Sequence, residues 1–417
     1  MSGDRLSVEG GNRLSGKINV GGSKNAVLPV ITASLLSSDP CRISEVPKLV
    51  DVEVILDVLA DLGARAAWSD GELTIDTSLL SNYEASDEMV SKMRASILVM
   101  GPLLARMGKA KVSMPGGCAI GARPIDIHIK GFEAMGATIR TENGYVLAET
   151  PGLKGARIYL DFPSVGATEN LMMAASLAKG PTVLENAAEE PEIVDLANFI
   201  NSMGGRVRGA GTKIIKIDGV PSLTGCEHQV IPDRIEAGSY LIAAAITGGE
   251  LVVENVIPDH IKPVIAKLKE VGCSIDEGES SLLIRPSSRL ISADIKTLPY
   301  PGFPTDMQAQ FMSLMTRARG ASVITETIFE NRFMHADELR RMGADIRING
   351  RSAVVEGPSD LQGASVKASD LRAGMALIIA ALAADGVSEI NNARLIDRGY
   401  DDLVQKLNSI GAKIKRA

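Results

Sequence analysis

The chain has 417 residues, of which 45% are hydrophobic and only 3% aromatic, and its formal net charge is −7. This length is too great for one compact core, so we expect two domains. An acidic chain without a basic run is poorly suited to nucleic acids and membrane surfaces, and we expect neither as a partner. The four cysteines are widely spaced and no apolar leader opens the chain, so we expect a cytoplasmic protein without disulfides or zinc.

One unit recurs six times along the chain. Each copy is predicted to contain a helix that is apolar almost all round, a β-branched strand, an amphipathic helix and a closing hairpin. A glycine follows each amphipathic helix as a predicted C-cap, and these glycines are 73, 68, 68, 71 and 68 residues apart: Gly63, Gly136, Gly204, Gly272, Gly343 and Gly411. A helix without a polar face is buried on all sides, so the pattern predicts an α/β fold with buried helices.

The sixth unit lacks one hairpin strand, and the N-terminus carries a matching segment. Residues 5–9 have the alternation of a strand and can supply the missing one, so the first 20 residues are expected to join the last half of the chain. This predicts two domains of three units each, residues 21–230 and residues 231–417 with 1–20. Two chain crossings would connect them and permit hinge closure.

The loop at residues 115–124, Pro-Gly-Gly-Cys-Ala-Ile-Gly-Ala-Arg-Pro, carries a candidate reactive cysteine. Small residues surround Cys118, and Arg123 follows five positions later. A nearby positive charge favours the thiolate form of cysteine. The alternative is a small buried cysteine near a turn, since free cysteines are usually buried. The glycine-rich surroundings and Arg123 favour the reactive interpretation.

Cations recur at predicted helix starts in both halves of the chain: Lys24, Arg94, Arg123, Arg332, Arg372 and Arg398. The helix dipole disfavours cations at this end, so their repetition needs another reason. An anionic ligand with several charges, such as a phosphate and a carboxylate or a diphosphate, would supply it. The alternative is solvated surface charge or salt bridges between the domains. Repetition favours the ligand, bound in a cleft between the two predicted domains.

Asp306 is a candidate general base, because a carboxylate within a cationic site can accept a proton. It lies in Phe-Pro-Thr-Asp-Met-Gln, where Thr305 is predicted to cap a helix and Asp306 to occupy its first turn. The alternative is an ordinary acidic residue of a first helical turn.

These segments together resemble the UDP-N-acetylglucosamine 1-carboxyvinyltransferase family, enolpyruvyl transferases of the MurA type, over the whole chain. The matching segments are residues 23–26, 93–96, 115–124, 164–168, 303–308, 329–333, 370–372 and 397–400. The resemblance implies the EPSP synthase-like fold, with two inside-out α/β barrel domains of three units each. It also implies transfer of enolpyruvate from phosphoenolpyruvate to the 3′-hydroxyl of UDP-N-acetylglucosamine, releasing phosphate. This is the first committed step of bacterial peptidoglycan synthesis, and no cofactor or metal is implied.

The family's reaction is an addition followed by an elimination, and a fixed cationic cage is its main requirement. The resemblance implies that Lys24, Arg123 and Arg398 hold the phosphate of phosphoenolpyruvate. It implies that Arg332 and Arg372 hold the carboxylate, with Asn25 also in contact.

By the same resemblance, Cys118 donates the proton to C3 of phosphoenolpyruvate and can accept this substrate covalently. Asp306 takes the proton of the sugar hydroxyl, and Lys24 and Arg398 complete the catalytic set. The implied contacts of UDP-N-acetylglucosamine are Asn25, Arg94, Arg123, Pro124, Ile125, Asp126, Ile127, Ser164, Val165, Gly166, Asp306 and Ile328. Fosfomycin, an epoxide phosphonate resembling phosphoenolpyruvate, is expected to alkylate Cys118.

One position departs from the family pattern. Phe162 stands where some members have a lysine that contacts the diphosphate. Two other functions remain open from the residues alone: a 3-phosphoshikimate 1-carboxyvinyltransferase, and a non-catalytic protein that binds a UDP-sugar. The sister family shares the fold but lacks the cysteine loop, and the intact charged set argues against a non-catalytic protein.

Overall fold

The computed structural model describes residues 4–85, 94–114, 125–287 and 289–417, and of residues 94–96 it describes the backbone alone. These residues form two compact units. The first domain comprises the described residues between 22 and 231, and the second comprises residues 4–21 and 232–417. None of the described helices combines the length and the apolar character needed to cross a bilayer.

Each domain contains three four-stranded sheets, and all six sheets share one topology. An edge strand runs parallel to the second strand, the third is antiparallel to the second, and the fourth is antiparallel to the third. In this spatial order, and numbered along the chain, the sheets of the first domain are β14 (Glu227–Gln229), β3 (Cys41–Ser44), β5 (Glu72–Asp76) and β4 (Arg65–Ser69); β6 (Glu84–Ala85), β7 (Lys109–Ser113), β9 (Tyr145–Glu149) and β8 (Thr138–Glu142); and β10 (Arg157–Tyr159), β11 (Pro181–Glu185), β13 (Ile214–Asp218) and β12 (Val207–Arg208).

The second domain repeats this arrangement with two strands from the N-terminus. Its sheets are β2 (Gly16–Asn19), β15 (Leu251–Glu254), β17 (Ser281–Arg285) and β16 (Ser274–Glu277); β18 (Ile295–Lys296), β19 (Gly320–Thr325), β21 (Ser352–Gly357) and β20 (Asp345–Asn349); and β22 (Ser365–Lys367), β23 (Val387–Asn391), β1 (Arg5–Glu9) and β24 (Lys413–Arg416). In β1, Leu6 lies opposite Ile390 and Val8 opposite Ile414. The prediction that an N-terminal strand completes the sixth unit is confirmed.

Buried helices fill the inside of each domain. The described α-helices are α1 (Lys24–Ala33), α2 (Val50–Asp61), α3 (Met100–Met107), α4 (Asp126–Ala134), α5 (Val165–Ala175), α6 (Pro191–Ser202), α7 (Arg234–Thr247), α8 (Lys262–Glu270), α9 (Gln308–Met315), α10 (His335–Arg341), α11 (Leu371–Leu382) and α12 (Leu403–Ser409). In the second domain α7, α9 and α11 contact one another and are buried over almost their whole length. In the first domain α1, α3 and α5 are the corresponding buried helices. The predicted α/β fold with helices inside is confirmed.

The six repeat glycines end the amphipathic helices α2, α4, α6, α8, α10 and α12. Their φ angles lie between 90° and 106°, in a region that costs glycine far less than residues with a side chain. At the end of α2, the N–H of Gly63 donates to Ala60 O and that of Ala64 to Leu59 O, both at 2.9 Å. These bonds satisfy carbonyls at the helix end, so the predicted C-caps are confirmed.

Candidate active site

Three of the predicted site residues form one charge cluster in the second domain, here called the Asp306 cluster: Asp306, Arg332 and Arg372. Arg332 Nη2 donates to Asp306 Oδ1 at 2.7 Å. Arg372 donates to Asp306 Oδ2 through Nη2 at 3.0 Å and through Nε at 3.2 Å. The arginine side chains are only 5% and 2% exposed, whereas that of Asp306 is 27% exposed. Two buried cations therefore hold a carboxylate that solvent can reach, and they favour its ionised form.

Two neighbouring repeat units contribute these side chains. In the fifth unit, Asp306 lies in the 3₁₀ turn Thr305–Met307 before α9, and Arg332 precedes α10. In the sixth unit, Arg372 lies in the first turn of α11. Asp370 caps this helix, because its Oδ1 accepts from the N–H of Arg372 at 2.8 Å. The repeated helix starts thus bring the three groups together.

A buried carboxylate that sequence reasoning missed, Glu326, supports Arg332. Thr305 Oγ1 accepts from Arg332 Nη1 at 2.7 Å and donates to Glu326 Oε2 at 2.8 Å. The predicted role of Thr305 as a helix cap is therefore wrong, since its hydroxyl bridges these two side chains. Glu326 Oε1 also accepts from the N–H of Ile328 at 2.8 Å, which fixes the backbone of another predicted site residue.

Arg372 lies beside Tyr400 and keeps one donor without a partner in the described ranges. Its guanidinium carbon lies 5.6 Å from the centre of the Tyr400 ring. Burial is the largest single influence and acts to lower the pKa of Arg372, but the charges of Asp306, Tyr400 and Asp233 and a hydrogen bond with Tyr400 together raise it. Arg372 Nη1 is buried and has no hydrogen-bond partner among the described residues. An unsatisfied buried donor costs about 1–3 kcal/mol, so this N–H marks a position for an acceptor group of a ligand.

The segment that carries Arg398 passes beside Arg372. Arg398 ends the 3₁₀ helix Ala393–Arg398, which packs against α11. Its predicted place at the start of an amphipathic helix is wrong, because α12 begins only at Leu403. A Cβ atom at Gly399 would lie 2.3 Å from Leu371 Cδ1 and 3.6 Å from Arg372 Nη1. The lack of a side chain at Gly399 permits this close approach.

In the first domain, Lys24 begins α1 and forms a buried ion pair. Its Nζ lies 2.9 Å from Asp51 Oδ2, and the two side chains are 11% and 3% exposed. Ser23 caps the helix by accepting from the N–H of Ala26 at 3.4 Å, and Asn25 is half-buried. Asp51, in the first turn of α2, was not identified from the sequence.

The residues predicted to contact the UDP-sugar lie at two helix starts of the first domain. Residues 125–127 open α4, and residues 164–166 open α5, where Ser164 Oγ accepts from the N–H of Ala167 at 3.3 Å. A Cβ atom at Gly166 would lie 3.7 Å from Cε1 of His128 in α4. The starts of α4 and α5 are therefore adjacent.

The remaining predicted residues fall partly outside the described chain. Cys118, Arg123 and Pro124 lie outside the described residues, and of Arg94 only the backbone is described, at the start of the 3₁₀ helix Arg94–Val99. Phe162, the departure from the family pattern, is 44% exposed. Beside it in the sequence, Asp161 Oδ2 lies 2.7 Å from Nζ of Lys130 on α4.

Comparison with known proteins gives the family. The model of the family described as EPSP synthase (3-phosphoshikimate 1-carboxyvinyltransferase) matches residues 8–407. The UDP-N-acetylglucosamine 1-carboxyvinyltransferase 2 of Carboxydothermus hydrogenoformans is 58% identical over 415 residues, 99% of each chain. The UDP-N-acetylglucosamine 1-carboxyvinyltransferase 1 of Staphylococcus aureus is 57% identical over 417 residues, also 99% of each chain. The chain belongs to the UDP-N-acetylglucosamine 1-carboxyvinyltransferases of the EPSP synthase family, as its motifs predict.

Solved structures agree on the fold. The enolpyruvyl transferase NikO from Streptomyces tendae superposes with a TM-score of 0.89 at 26% identity, covering 99% of each chain. An EPSP synthase from Acinetobacter baumannii gives a TM-score of 0.76 at 21% identity, again over 99% of each chain. The predicted EPSP synthase-like fold is confirmed.

Proposed function

We propose that this chain transfers enolpyruvate from phosphoenolpyruvate to the 3′-hydroxyl of UDP-N-acetylglucosamine and releases phosphate. Relatives that are 55–58% identical over nearly the whole chain bear the name of this activity. The structural observation that carries the proposal is the Asp306 cluster, a reachable carboxylate between two buried arginines. It offers a base and an anion-binding group within one site.

The carboxylate of phosphoenolpyruvate is assigned to Arg372. Asp306 already occupies Nε and Nη2 of this arginine, and Nη1 has no partner among the residues that the structure describes, so Nη1 is assigned as the donor for a second carboxylate. Charge develops at C2 of phosphoenolpyruvate beside its carboxylate and phosphate during addition. Buried, preorganised cations stabilise such charge without reorganisation.

Asp306 is assigned the removal of the proton from the sugar 3′-hydroxyl. Its carboxylate is exposed enough to meet a substrate, and hydrogen bonds from Arg332 and Arg372 fix both oxygens in place. A base held in one orientation meets the geometric requirement for proton transfer. In the same proposal, Cys118 protonates C3 of phosphoenolpyruvate.

The phosphate of phosphoenolpyruvate is assigned to Lys24, Asn25, Arg123 and Arg398. The carboxylate of the same substrate is assigned to Arg332 and Arg372. The UDP-sugar is assigned to the adjacent starts of α4 and α5, together with Arg94 and Ile328. We assign to Lys130 the diphosphate contact that a lysine at the Phe162 position supplies in some relatives, because Lys130 lies on α4 and reaches Asp161.

The proposal places the reaction in the cytoplasm, at the first committed step of peptidoglycan synthesis. Phosphoenolpyruvate and the UDP-sugar are its only assigned partners, without a cofactor or an obligate protein partner.

Phosphate release tests this function directly. Purified protein is supplied with phosphoenolpyruvate, with and without UDP-N-acetylglucosamine, in the presence of a chelator. Release that requires both substrates supports the proposal. Release with shikimate 3-phosphate instead would indicate the sister activity, and binding of the UDP-sugar without release would indicate a non-catalytic protein.

Asp306→Asn tests the role of the base. The variant keeps the size of the side chain and should lose about two to three orders of magnitude in kcat. Its KM for phosphoenolpyruvate is measured beside it. A kcat within threefold of the native value contradicts the assigned proton transfer.

Fosfomycin tests Cys118. Mass spectrometry of the treated protein should locate one adduct on Cys118 and none on the other cysteines. Alkylation of Cys41 or Cys273 in place of Cys118 would remove this cysteine from the proposed site.

A further inference from the structure

Cys41 and Cys226 are 185 positions apart in the sequence but are neighbours in the first domain. Cys41 begins β3, and Cys226 directly precedes β14. These strands pair in parallel with Arg42 opposite Glu227, and this register sets Cys226 opposite Cys41. The N–H of Arg42 donates to the carbonyl of Cys226 at 2.9 Å. Neighbouring strands lie about 4.8 Å apart, which is inside the Cα spacing of about 4.4–6.8 Å that a disulfide spans.

Both sulfur atoms lie on the inner face of this sheet. Arg42 and Glu227 form an exposed ion pair at 2.8 Å on the outer face. Side chains alternate along a strand, so the preceding residue of each strand points inward. Cys41 is buried and Cys226 is half-buried, and both are free thiols. The side chain of Cys226 lies close enough to Cys41 to influence its ionisation, and Sγ of Cys226 donates to the carbonyl of Phe199 at 4.0 Å.

Cys41 differs chemically from Cys226 and from the buried Cys273 of the second domain. A hydrogen bond with Cys41 and burial raise the pKa of Cys226. The hydrogen bond from Cys226 is the largest influence on Cys41 and lowers its pKa to about 7. Burial raises the pKa of Cys273 to about 11. The thiolate is the form that reacts with oxidants. At neutral pH the thiolate is therefore available at Cys41 but scarcely at Cys226 or Cys273, so Cys41 is the thiol that reacts first.

We propose that Cys41 and Cys226 form a redox-active dithiol that hydrogen peroxide converts into a disulfide. The thiolate of Cys41 attacks one oxygen of the peroxide, giving a sulfenic acid and hydroxide. The sulfur of Cys226 then attacks the sulfenic sulfur, the S–S bond forms, and the hydroxyl leaves as water after taking up the Cys226 proton. In total two thiols and one peroxide give one disulfide and two waters. A dithiol reductant reverses the reaction by thiol–disulfide exchange.

The disulfide would tie together the first and the last strand of the first domain. A cross-link between positions so far apart in the sequence restricts the unfolded chain strongly. The oxidised protein should therefore unfold at a temperature about 5 °C higher than the reduced protein. This property does not depend on the proposed transferase activity.

Peptide mapping tests the bond. The full chain is treated with hydrogen peroxide, its remaining thiols are blocked with N-ethylmaleimide in denaturant, and trypsin is added without reductant. Trypsin cuts after Lys24, Arg42, Lys216 and Arg234, so residues 25–42 and 217–234 each carry one cysteine. The expected product is these two peptides joined, with the Cys273 peptide blocked by N-ethylmaleimide. Joined peptides should disappear after dithiothreitol.

Two variants serve as matched controls. Cys226→Ser changes a half-buried position, and Cys41→Ser changes its buried partner. Both should lose the joined peptides, and peroxide should leave the unfolding temperature of Cys226→Ser unchanged while raising that of the native chain. The proposal is overturned if peroxide leaves both thiols open to N-ethylmaleimide, produces only sulfinic acid on either, or joins either cysteine to Cys118. An equal temperature shift in Cys226→Ser also overturns it.

Discussion

The first and fifth repeat units each carry an ion pair between the start of the buried helix and the start of the amphipathic helix, but with opposite polarity. In the first unit the cation, Lys24, stands at the start of the buried helix and the carboxylate, Asp51, in the first turn of the amphipathic helix. In the fifth unit the carboxylate, Asp306, precedes the buried helix, and the cation, Arg332, precedes the amphipathic helix. In both units, then, the starts of these two helices lie within reach of an ion pair, whichever start carries the cation.

The difference lies in a third residue. Lys24 and Asp51 balance each other, whereas Arg372 of the sixth unit adds a second cation to Asp306 and leaves the Asp306 cluster with one excess positive charge. Arg372 Nη1 also has no hydrogen-bond partner within the described part of the chain. The fold supplies the pairing, and an added arginine makes one pair suited to an anion. Four measurements test this comparison.

Removal of the excess charge should have the largest effect. Arg372→Met keeps most of the side-chain volume but removes the cation, and kcat/KM for phosphoenolpyruvate should fall about a thousandfold. Arg372→Lys restores the charge without the planar fork and should recover only part of the loss. Phosphate release measures both. A folded Met variant within tenfold of native activity would make Arg372 no different from a structural cation.

The burial of His335 in the fifth unit should make the free energy of unfolding depend on pH. Burial is the main cause that lowers the pKa of His335 from 6.5 to about 4, Arg332 adds to it, and Asp370 opposes it. Between these values the unfolded chain binds the proton and the folded chain does not. The free energy of unfolding should therefore fall by about 3 kcal/mol as pH drops from 6.5 to 4, and this contribution is constant below pH 4.

His335→Gln removes this titration. Denaturant unfolding of the native chain and the variant between pH 4 and pH 7 measures the difference. The variant should show the shallower dependence on pH. Parallel profiles would mean that His335 is protonated in the folded protein near its ordinary pKa.

Loss of one partner in the balanced pair should have a moderate effect. Asp51→Asn leaves Lys24 without its counter-charge and should lower the free energy of unfolding by about 2 kcal/mol. Asp306→Asn is the matched variant, and it should cost more because two buried arginines lose one carboxylate. Denaturant unfolding compares them. An equal loss of the free energy of unfolding in the two variants would contradict the difference between a carboxylate with one cation and a carboxylate with two.

The smallest effect is expected at the surface of the first domain. Lys130→Ala should raise the KM for UDP-N-acetylglucosamine about threefold with kcat unchanged, because an exposed charge contributes little. Phe162→Lys in the Lys130→Ala background supplies a lysine where some relatives have one and should restore the KM. If Phe162→Lys leaves the KM of the Lys130→Ala variant unchanged, then Lys130 does not replace a lysine at position 162.

Local and periodic features were determined by the sequence. Side-chain period and backbone sterics act over a few residues. They account for the all-apolar helices, for the glycines with positive φ at the helix C-termini and for the N-terminal strand. The repeat pattern then indicated an α/β fold with buried helices, and the motifs indicated the family, its barrel fold and most of the candidate residues. Thr305 shows the limit of local reasoning, because its hydroxyl is used by Arg332 and Glu326 rather than by the helix end.

Contacts between distant segments were decided only by the tertiary structure. The sequence does not indicate which distant residues meet in three cases: Asp51 beside Lys24, Glu326 behind Arg332, and Cys226 opposite Cys41. A hydrogen bond or an ion pair requires atoms to lie about 3 Å apart, and packing sets that distance. Sequence period indicates which way a side chain points within its own element, while the packing of elements determines what it meets there.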